Sequence, residues 1–292
     1  MGYLWAILAF VIWGFTSTVI LRAVPLVGPA ASLAGSVIGT LAMLAYVGPK
    51  RWLEVLDVAR RHTWRLAGVG IGFAGCSLTY HWSIKTTTVA NAALTHSLQS
   101  LLTVLLFIPL WGGPRPTLKG FAALLLGLGG LVVLLWPQLS WRGSSLGNLG
   151  GLALGTASAV FYSWNMVQLP YFTTRVKQDV LQVAVLAATT VFLLPVLFFA
   201  DMPAAWDARG AAATLAFGLL NFALANVLFL RAIKLAPIGH IGTLAYLEPV
   251  VGIVAASMFL CEPMTAGVVL GGMLILVSGA LVVLDQPGKS AE

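Results

Sequence analysis

The sequence predicts an all-α integral membrane protein: ten transmembrane helices in two inverted five-helix repeats, with both termini cytoplasmic. Three observations carry this. Hydrophobic residues fill 59% of the 292 positions and charged residues only 9%, where soluble domains are roughly a quarter charged. Apolar runs of about 20 residues, the length that crosses a bilayer, recur along the chain. Matching residues also recur at one common offset: Phe73-Ala74 on Phe222-Ala223, Ile84-Lys85 on Ile233-Lys234, Leu98 on Leu247 and Gln99 on Glu248.

The first apolar run, 3–21, has no basic stretch before it and is too long for a signal-peptide core, so it reads as a span. The remaining spans follow at 29–47, 66–84, 88–110, 118–136, 149–168, 179–200, 210–230, 239–260 and 265–284. Gly, Pro and basic clusters punctuate them, as at 48–51 (GPKR) and 112–116 (GGPRP). With the N-terminus inside, inner loops hold Lys50, Arg51, Arg60, Arg61, Arg65, Arg115, Lys119, Arg175, Lys177, Arg231, Lys234 and Lys289. Outer loops hold only Arg22, Lys85, Arg142 and Arg209. Cytoplasmic loops carry the excess of positive charge, which sets the orientation. The net charge of +7 thus reads as topology rather than a nucleic-acid-binding patch.

The duplication divides the chain into 1–140 and 141–292. Five spans per half is an odd number, so the second half runs upside down relative to the first. Inverted repeats are a common plan of secondary transporters, with the substrate site near the midplane between the halves; a duplication with a purely structural role is the alternative. Cys76 and Cys261 show no zinc or disulfide spacing and read as small buried apolar residues. The run Gly143-Ser144-Ser145-Leu146-Gly147 fits the hydrolase pattern GxSxG, but it lies in a loop with no preceding strand. No phosphate loop is present, so ATP hydrolysis by this chain is not expected to drive transport, and no cofactor or metal is expected.

The run WGFTSTVILRAV (13–24) and the second-half stretch 230–284, with Leu247-Glu248-Pro249, Glu262 and its paired glycines, resemble the EamA-type repeat of the drug/metabolite transporter superfamily. The likeness covers nearly the whole chain. The Arg usual in the family's second helix is absent from 32–40 (SLAGSVIGT), as is the acidic residue usual after the fourth, where 111–116 (WGGPRP) stands. The aromatic-rich cavity candidates most resemble the YddG-type branch, which exports aromatic amino acids.

Polar residues at membrane depth supply the candidate site. On the fourth span Thr88, Asn91, Thr95, Gln99 and Thr103 fall within an arc of about 120°, and His96 and Ser100 widen it. Polar groups in hydrocarbon cost several kcal/mol unless partnered (~4–8 by transfer), so the stripe faces other helices or a cavity. Tyr80 and His81 join from the third span, Trp13 and Ser17 from the first, and Ser158, Tyr162, Trp164 and Asn165 from the sixth. Asn221 adds mid-depth polarity on the eighth. Trp13 and Tyr162 are repeat mates, and two facing rings would make a slot for a flat apolar side chain; aromatic core packing is the alternative. On the ninth span Thr243 and Tyr246 share an arc with His240. Glu248 points about 160° away from Tyr246, so both cannot line one cavity. Glu248 reads as a coupling or ammonium-binding group, or as a structural cap at the break that Pro249 imposes. The glycine pairs Gly120/Gly127 and Gly272/Gly279, and the stripe Gly147, Gly151 and Gly155, read as close helix packing.

The expected function is a secondary transporter, moving small amphipathic metabolites and most plausibly aromatic amino acids. It is expected to act as a monomer in the cell (inner or plasma) membrane, with a small-molecule substrate and the lipid bilayer as its partners and no nucleic acid. A channel-like facilitator, or a carrier of another metabolite or drug class, is the alternative.

Overall fold

The structure is a computed structural model that describes residues 1–26, 28–87, 89–136, 146–199, 207–261 and 264–284. Thr88, Ser144, Ser145 and Glu262 lie outside these residues. The described elements join into ten long helical rods: α1 Gly2–Ala23, α2 Pro29–Val47, α3 Thr63–Thr86, α4 89–110 and α5 Leu118–Leu135, then α6 Leu146–Thr173, α7 Gln178–Phe198, α8 Ala208–Leu235, α9 Ile238–Leu260 and α10 Ala266–Leu284. Eight of the described rods are long and apolar enough to cross a membrane; α3 and α6 are long enough but more polar. These two pack on each other, and α4 packs on α6 as well, so the polar residues of α3 and α6 have protein to face. The chain is a multi-pass, helical membrane protein.

The expected spans 149–168 and 210–230 both end five residues early, since α6 runs to Thr173 through Pro170 and α8 to Leu235. The stretch after α2, expected as loop, contains a further short helix, Trp52–Arg61. Val55 and Val58 are buried on its inner side and its charged residues face out. Arg51 bonds both Glu54 (3.2 Å) and Asp179 at the start of α7, while Lys177 reaches Glu54 at 3.2 Å. These ion pairs tie the short helix to α7. The Arg51 guanidinium, then the Lys177 ammonium, holds the Glu54 carboxyl below the usual carboxylate range.

Helix pairings repeat between the halves. α5 packs on α10 and α2 on α7. The pairs α3–α6, α4–α6 and α3–α7, which join the two halves, have counterparts with the halves exchanged in α1–α8, α1–α9 and α2–α8. Where α1 crosses α9, a Cβ at Gly14 would stand 2.5 Å from the Glu248 carbonyl oxygen, so only glycine allows this approach. At the α4–α6 crossing a Cβ on Gly155 would meet Thr95 Oγ1, which bears out the small-residue stripe on α6 as a packing surface.

Three of the rods loosen into a π-turn: α1 over Thr16–Ile20, α4 over Thr103–Phe107 and α8 over Gly218–Leu224. Such turns free backbone carbonyls, and hydrocarbon offers no water to satisfy them. Side chains do so instead. Trp13 Nε1 donates to Asn221 O at 3.0 Å, Gln182 Nε2 to Phe222 O at 3.1 Å, and Asn226 Nδ2 to both carbonyls at 3.0 and 3.1 Å. α9 is broken at Ala245–Tyr246. Pro249 lacks an N–H and its ring excludes the carbonyl four residues back, that of Ala245; Glu248 N donates to Ala245 O instead, at 3.1 Å.

Candidate functional site

A cavity of about 480 Å³ lies between α1, α3, α4, α6, α8 and α9, within the roughly 300–1,000 Å³ range of small-molecule sites. Its walls therefore come from both halves of the chain. Trp13, Ser17, Tyr80, His81, His96, Gln99, Tyr162, Asn221 and Glu248 all line it. Sequence reasoning missed Asn226, Cys76, Ser77 and Ser97 on the same walls. Asn226 sits five residues after Asn221, a spacing that meets only because the π-turn intervenes.

The expected slot between Trp13 and Tyr162 is occupied by Phe229. Its ring centroid lies 5.0 Å from Trp13 and 6.1 Å from Tyr162, and Phe10 packs against both Trp13 (5.7 Å) and Phe229 (6.2 Å). Phe10 is 0% and Phe229 1% exposed, so this cluster closes the cavity toward the start of α1. Beyond it at the same end, Tyr3 stacks on His240 (5.9 Å), and Arg231 lies over the Trp5 ring at 5.3 Å. At the other end the lining reaches Arg22, which is exposed, and the cavity opens there.

Seven of the expected residues do not line this cavity. Asn91 bonds Thr87 Oγ1 at 3.1 Å, and Thr95 returns its hydroxyl to Asn91 O at 2.9 Å where α4 meets Gly155. Much of the polar stripe on α4 is thus sealed against α6, and only its edge, His96 and Gln99, reaches the chamber. Ser158 serves His96 from behind. Trp164 turns to Gly68 O (3.3 Å) and to the edge of Trp111 (5.2 Å). Asn165 inserts into the ladder of α3: with its amide oriented by the hydrogen-bond network, it donates to Val69 O (3.2 Å) and accepts from Phe73 N (2.9 Å). Thr243 back-bonds to Gly239 O at 3.1 Å. Tyr246 is 1% exposed and packs against Gly127 of α5. Of the two, Glu248 lines the cavity and Tyr246 does not. No described backbone N–H donates to the Glu248 side chain, so it caps nothing among the described residues. Cys261, expected to be buried, is exposed and ends α9 in a left-handed conformation (φ 57°).

The two cavity histidines have assignable tautomers. Ser158 Oγ donates its single proton to Gly155 O (2.6 Å), so its 2.7 Å contact with His96 requires His96 Nδ1–H to donate. His81 Nδ1 lies 2.7 Å from Ser77 O, a carbonyl that only accepts, so it too carries its proton on Nδ1. Neutral His96 therefore has an acceptor at Nε2, and the Tyr80 ring lies 4.6 Å away, tilted by 41°.

A second cavity of about 430 Å³, between α2, α7 and α8, is lined by Leu, Ile, Val and Ala. Its one hydroxyl, on Thr214, is bonded to Gly210 O at 2.8 Å. Among the described residues it has nothing to orient a polar ligand.

Comparison with known proteins agrees with this architecture. A solved structure described only as "Crystal structure of protein" matches with a TM-score of 0.82 at 25% identity, over 97% of this chain and 96% of that one. The "Uncharacterized transporter YvbV" of Bacillus subtilis (strain 168) is 28% identical over 184 residues, 62% of this chain. The match spans 59% of that relative's length. The family model described as "EamA-like transporter family" matches twice, over residues 1–136 and 149–284. By those two matches, which take in nearly all of both halves, the chain belongs to the EamA-like transporter family, within the drug/metabolite transporter superfamily.

Proposed function

We propose that this transporter is a secondary carrier that moves small amphipathic metabolites, aromatic amino acids foremost, across the cell membrane by alternating access. The observation that carries the reading is the cavity: it lies at mid-bundle, draws its walls from both halves, pairs ring faces with polar groups, and is closed at one end by the Phe10–Trp13–Phe229 cluster. On this reading the ten rods are ten spans and the halves are inverted repeats, which the mirrored helix pairings support. Arg51, Arg65, Arg175, Lys177 and Arg231 gather at the closed end, through contacts with Asp179, Tyr171, Glu54 and Trp5. That favours placing this end, and both chain termini, in the cytoplasm. The cavity then opens outward, as an export carrier does after release. Each half supplies part of the site, so a monomer suffices.

Trp13 and Tyr162 border the substrate's ring on this reading, and Phe229 parts from them when the cytoplasmic side opens. Uptake of labelled phenylalanine, tyrosine and tryptophan into proteoliposomes, with leucine and glutamate as controls, tests it. Saturable flux of the aromatic set, weakened at least about tenfold in Trp13→Ala, is the expected result. Equal rates for all five amino acids would remove the aromatic preference, and unchanged kinetics in Trp13→Ala would remove the site.

A further inference from the structure

The hydrogen-bonding groups of the α1–α8–α9 wall are unevenly spent. Around Glu248 its donors are committed to the protein, while Thr18 and Arg22 line the cavity further along α1. Trp13 Nε1 donates to Asn221 O (3.0 Å), Asn221 Nδ2 to Thr16 Oγ1 (2.8 Å), and Asn226 Nδ2 to Asn221 O and Phe222 O (3.0 and 3.1 Å). Thr16 Oγ1 and Ser17 Oγ in turn donate to Trp13 O, at 3.2 and 2.7 Å. These bonds also fix both amide orientations: an amide oxygen of Asn226 could not face two carbonyls, and Thr16, its proton spent on Trp13 O, offers Asn221 only an acceptor.

The acceptors remain. The amide oxygens of Asn221 and Asn226 and the carboxylate of Glu248 take no hydrogen bond from any described residue. None of them is among the described polar atoms that are both sealed from solvent and unpartnered, so they stay accessible within the cavity that all three residues line. The cavity's carboxylate thus shares a wall with two neutral acceptors, and Thr18, whose hydroxyl can accept as well as donate, lies further along α1. Across from it His96 presents an acceptor nitrogen in its neutral form. Arg22, the one guanidinium on the described lining, sits at the open mouth.

From this we infer that the α1–α8–α9 wall is a subsite for a protonated amine, held by Glu248 with the Asn221 and Asn226 amide oxygens, and that the ammonium rather than the carboxylate is what the transporter recognises in its substrate. An ammonium brings three donors and no acceptor, the complement of this wall; charge-assisted bonds to a carboxylate are the strong kind. A substrate carboxylate placed there would meet two amide oxygens and the negative charge of Glu248, and the single hydroxyl of Thr18 would not offset its desolvation. The inference rests on reading this cavity as the substrate site, and it widens the substrate class to ring-bearing amines that lack a carboxyl group.

The test uses the purified full chain in detergent and three ligands that share a phenyl ring: phenethylamine, phenylalanine and 3-phenylpropionate. Titration calorimetry reads binding, and proteoliposome flux is measured separately. The expected result is that phenethylamine and phenylalanine bind while 3-phenylpropionate binds at least about tenfold more weakly. Glu248→Gln should lower phenethylamine affinity by about tenfold or more, while 3-phenylpropionate, relieved of the like charge, binds no more weakly than to the parent. Propionate binding as tight as amine binding, no binding of either amine, or Glu248→Gln binding phenethylamine like the parent would each overturn the subsite. Ligand selectivity in the parent protein stands without the variant, should that fail to fold. Amine binding without flux would support the subsite and count instead against its place on a transport path.

Discussion

Two aromatic contacts occupy matching positions in the duplicated sequence and are built differently. Trp13 and Phe229 touch directly, with ring centroids 5.0 Å apart, under a lid of Phe10. Their counterparts 149 positions away are Tyr162 and Tyr80. These two rings do not close on each other; His96 stands between, 4.6 Å from Tyr80 and 6.1 Å from Tyr162. One pair seals an end of the cavity, and the other lines its open part. On the alternating-access reading proposed above, the same sequence positions serve as a gate or as a wall, depending on how the two halves lean. In the opposite state of an inverted-repeat carrier the roles would exchange, with Tyr80 closing on Tyr162 and Phe229 leaving Trp13.

Substitution at the matched positions breaks or sharpens this contrast. The largest effect belongs to Phe229→Ala. It empties a fully buried ring site, which costs about 3–5 kcal/mol, and it should turn the closed end leaky, read as a lowered thermal midpoint together with non-saturating flux. Equal stability loss from Tyr80→Ala would erase the contrast. Tyr80 faces the cavity, so its truncation is expected to cost about 1 kcal/mol and to appear mainly as a weaker apparent affinity in flux assays.

A smaller effect separates wall from cement. Thr95 belongs to the α4–α6 seam, not the chamber, so Thr95→Val should change stability by about 0.6 kcal/mol and leave transport affinity untouched; a shifted KM would return Thr95 to the site. The smallest effect belongs to Glu54, in the ion-pair cluster at the closed end. Its folded carboxyl sits below its unfolded value, so its contribution is present above the unfolded pKa of about 4.3 and is lost as pH falls through the lower folded value. Glu54→Gln should therefore lower the thermal midpoint slightly near neutrality and converge with the parent in acid, more so at low salt, as thermal scans across pH would read.

The sequence made the rods legible, because hydrocarbon imposes length and apolarity on every span: the expected 29–47 coincides with Pro29–Val47. It also brought nine cavity residues into view, since polar groups at depth need partners. It could not say which partner. The wheel of α4 puts Asn91, Thr95 and Gln99 on one face, yet Gly155 lets α6 come close enough to take Thr95, and Asn91 turns back to Thr87. The two small-residue and hydroxyl stripes were both visible; pairing them would have predicted the seam. The α9 wheel separated Tyr246 from Glu248 correctly, but nothing in its periodicity says which side meets the cavity. Asn226 was out of reach, because a regular helix turns it away from Asn221 and only the π-turn brings them together. Phe229 read as one more apolar residue, and its role depends on tertiary contact alone.

The central claim is that the chamber between the halves is an alternating-access path, and counterflow tests it most directly. Proteoliposomes loaded with excess unlabelled phenylalanine are diluted into a trace of labelled phenylalanine. A carrier built as described accumulates label transiently above the outside concentration, and Ala93→Trp, which fills the chamber from the α4 wall, abolishes the overshoot while the protein stays folded. Label that only equilibrates, at a rate rising linearly with concentration, or an overshoot that survives Ala93→Trp, would contradict the account.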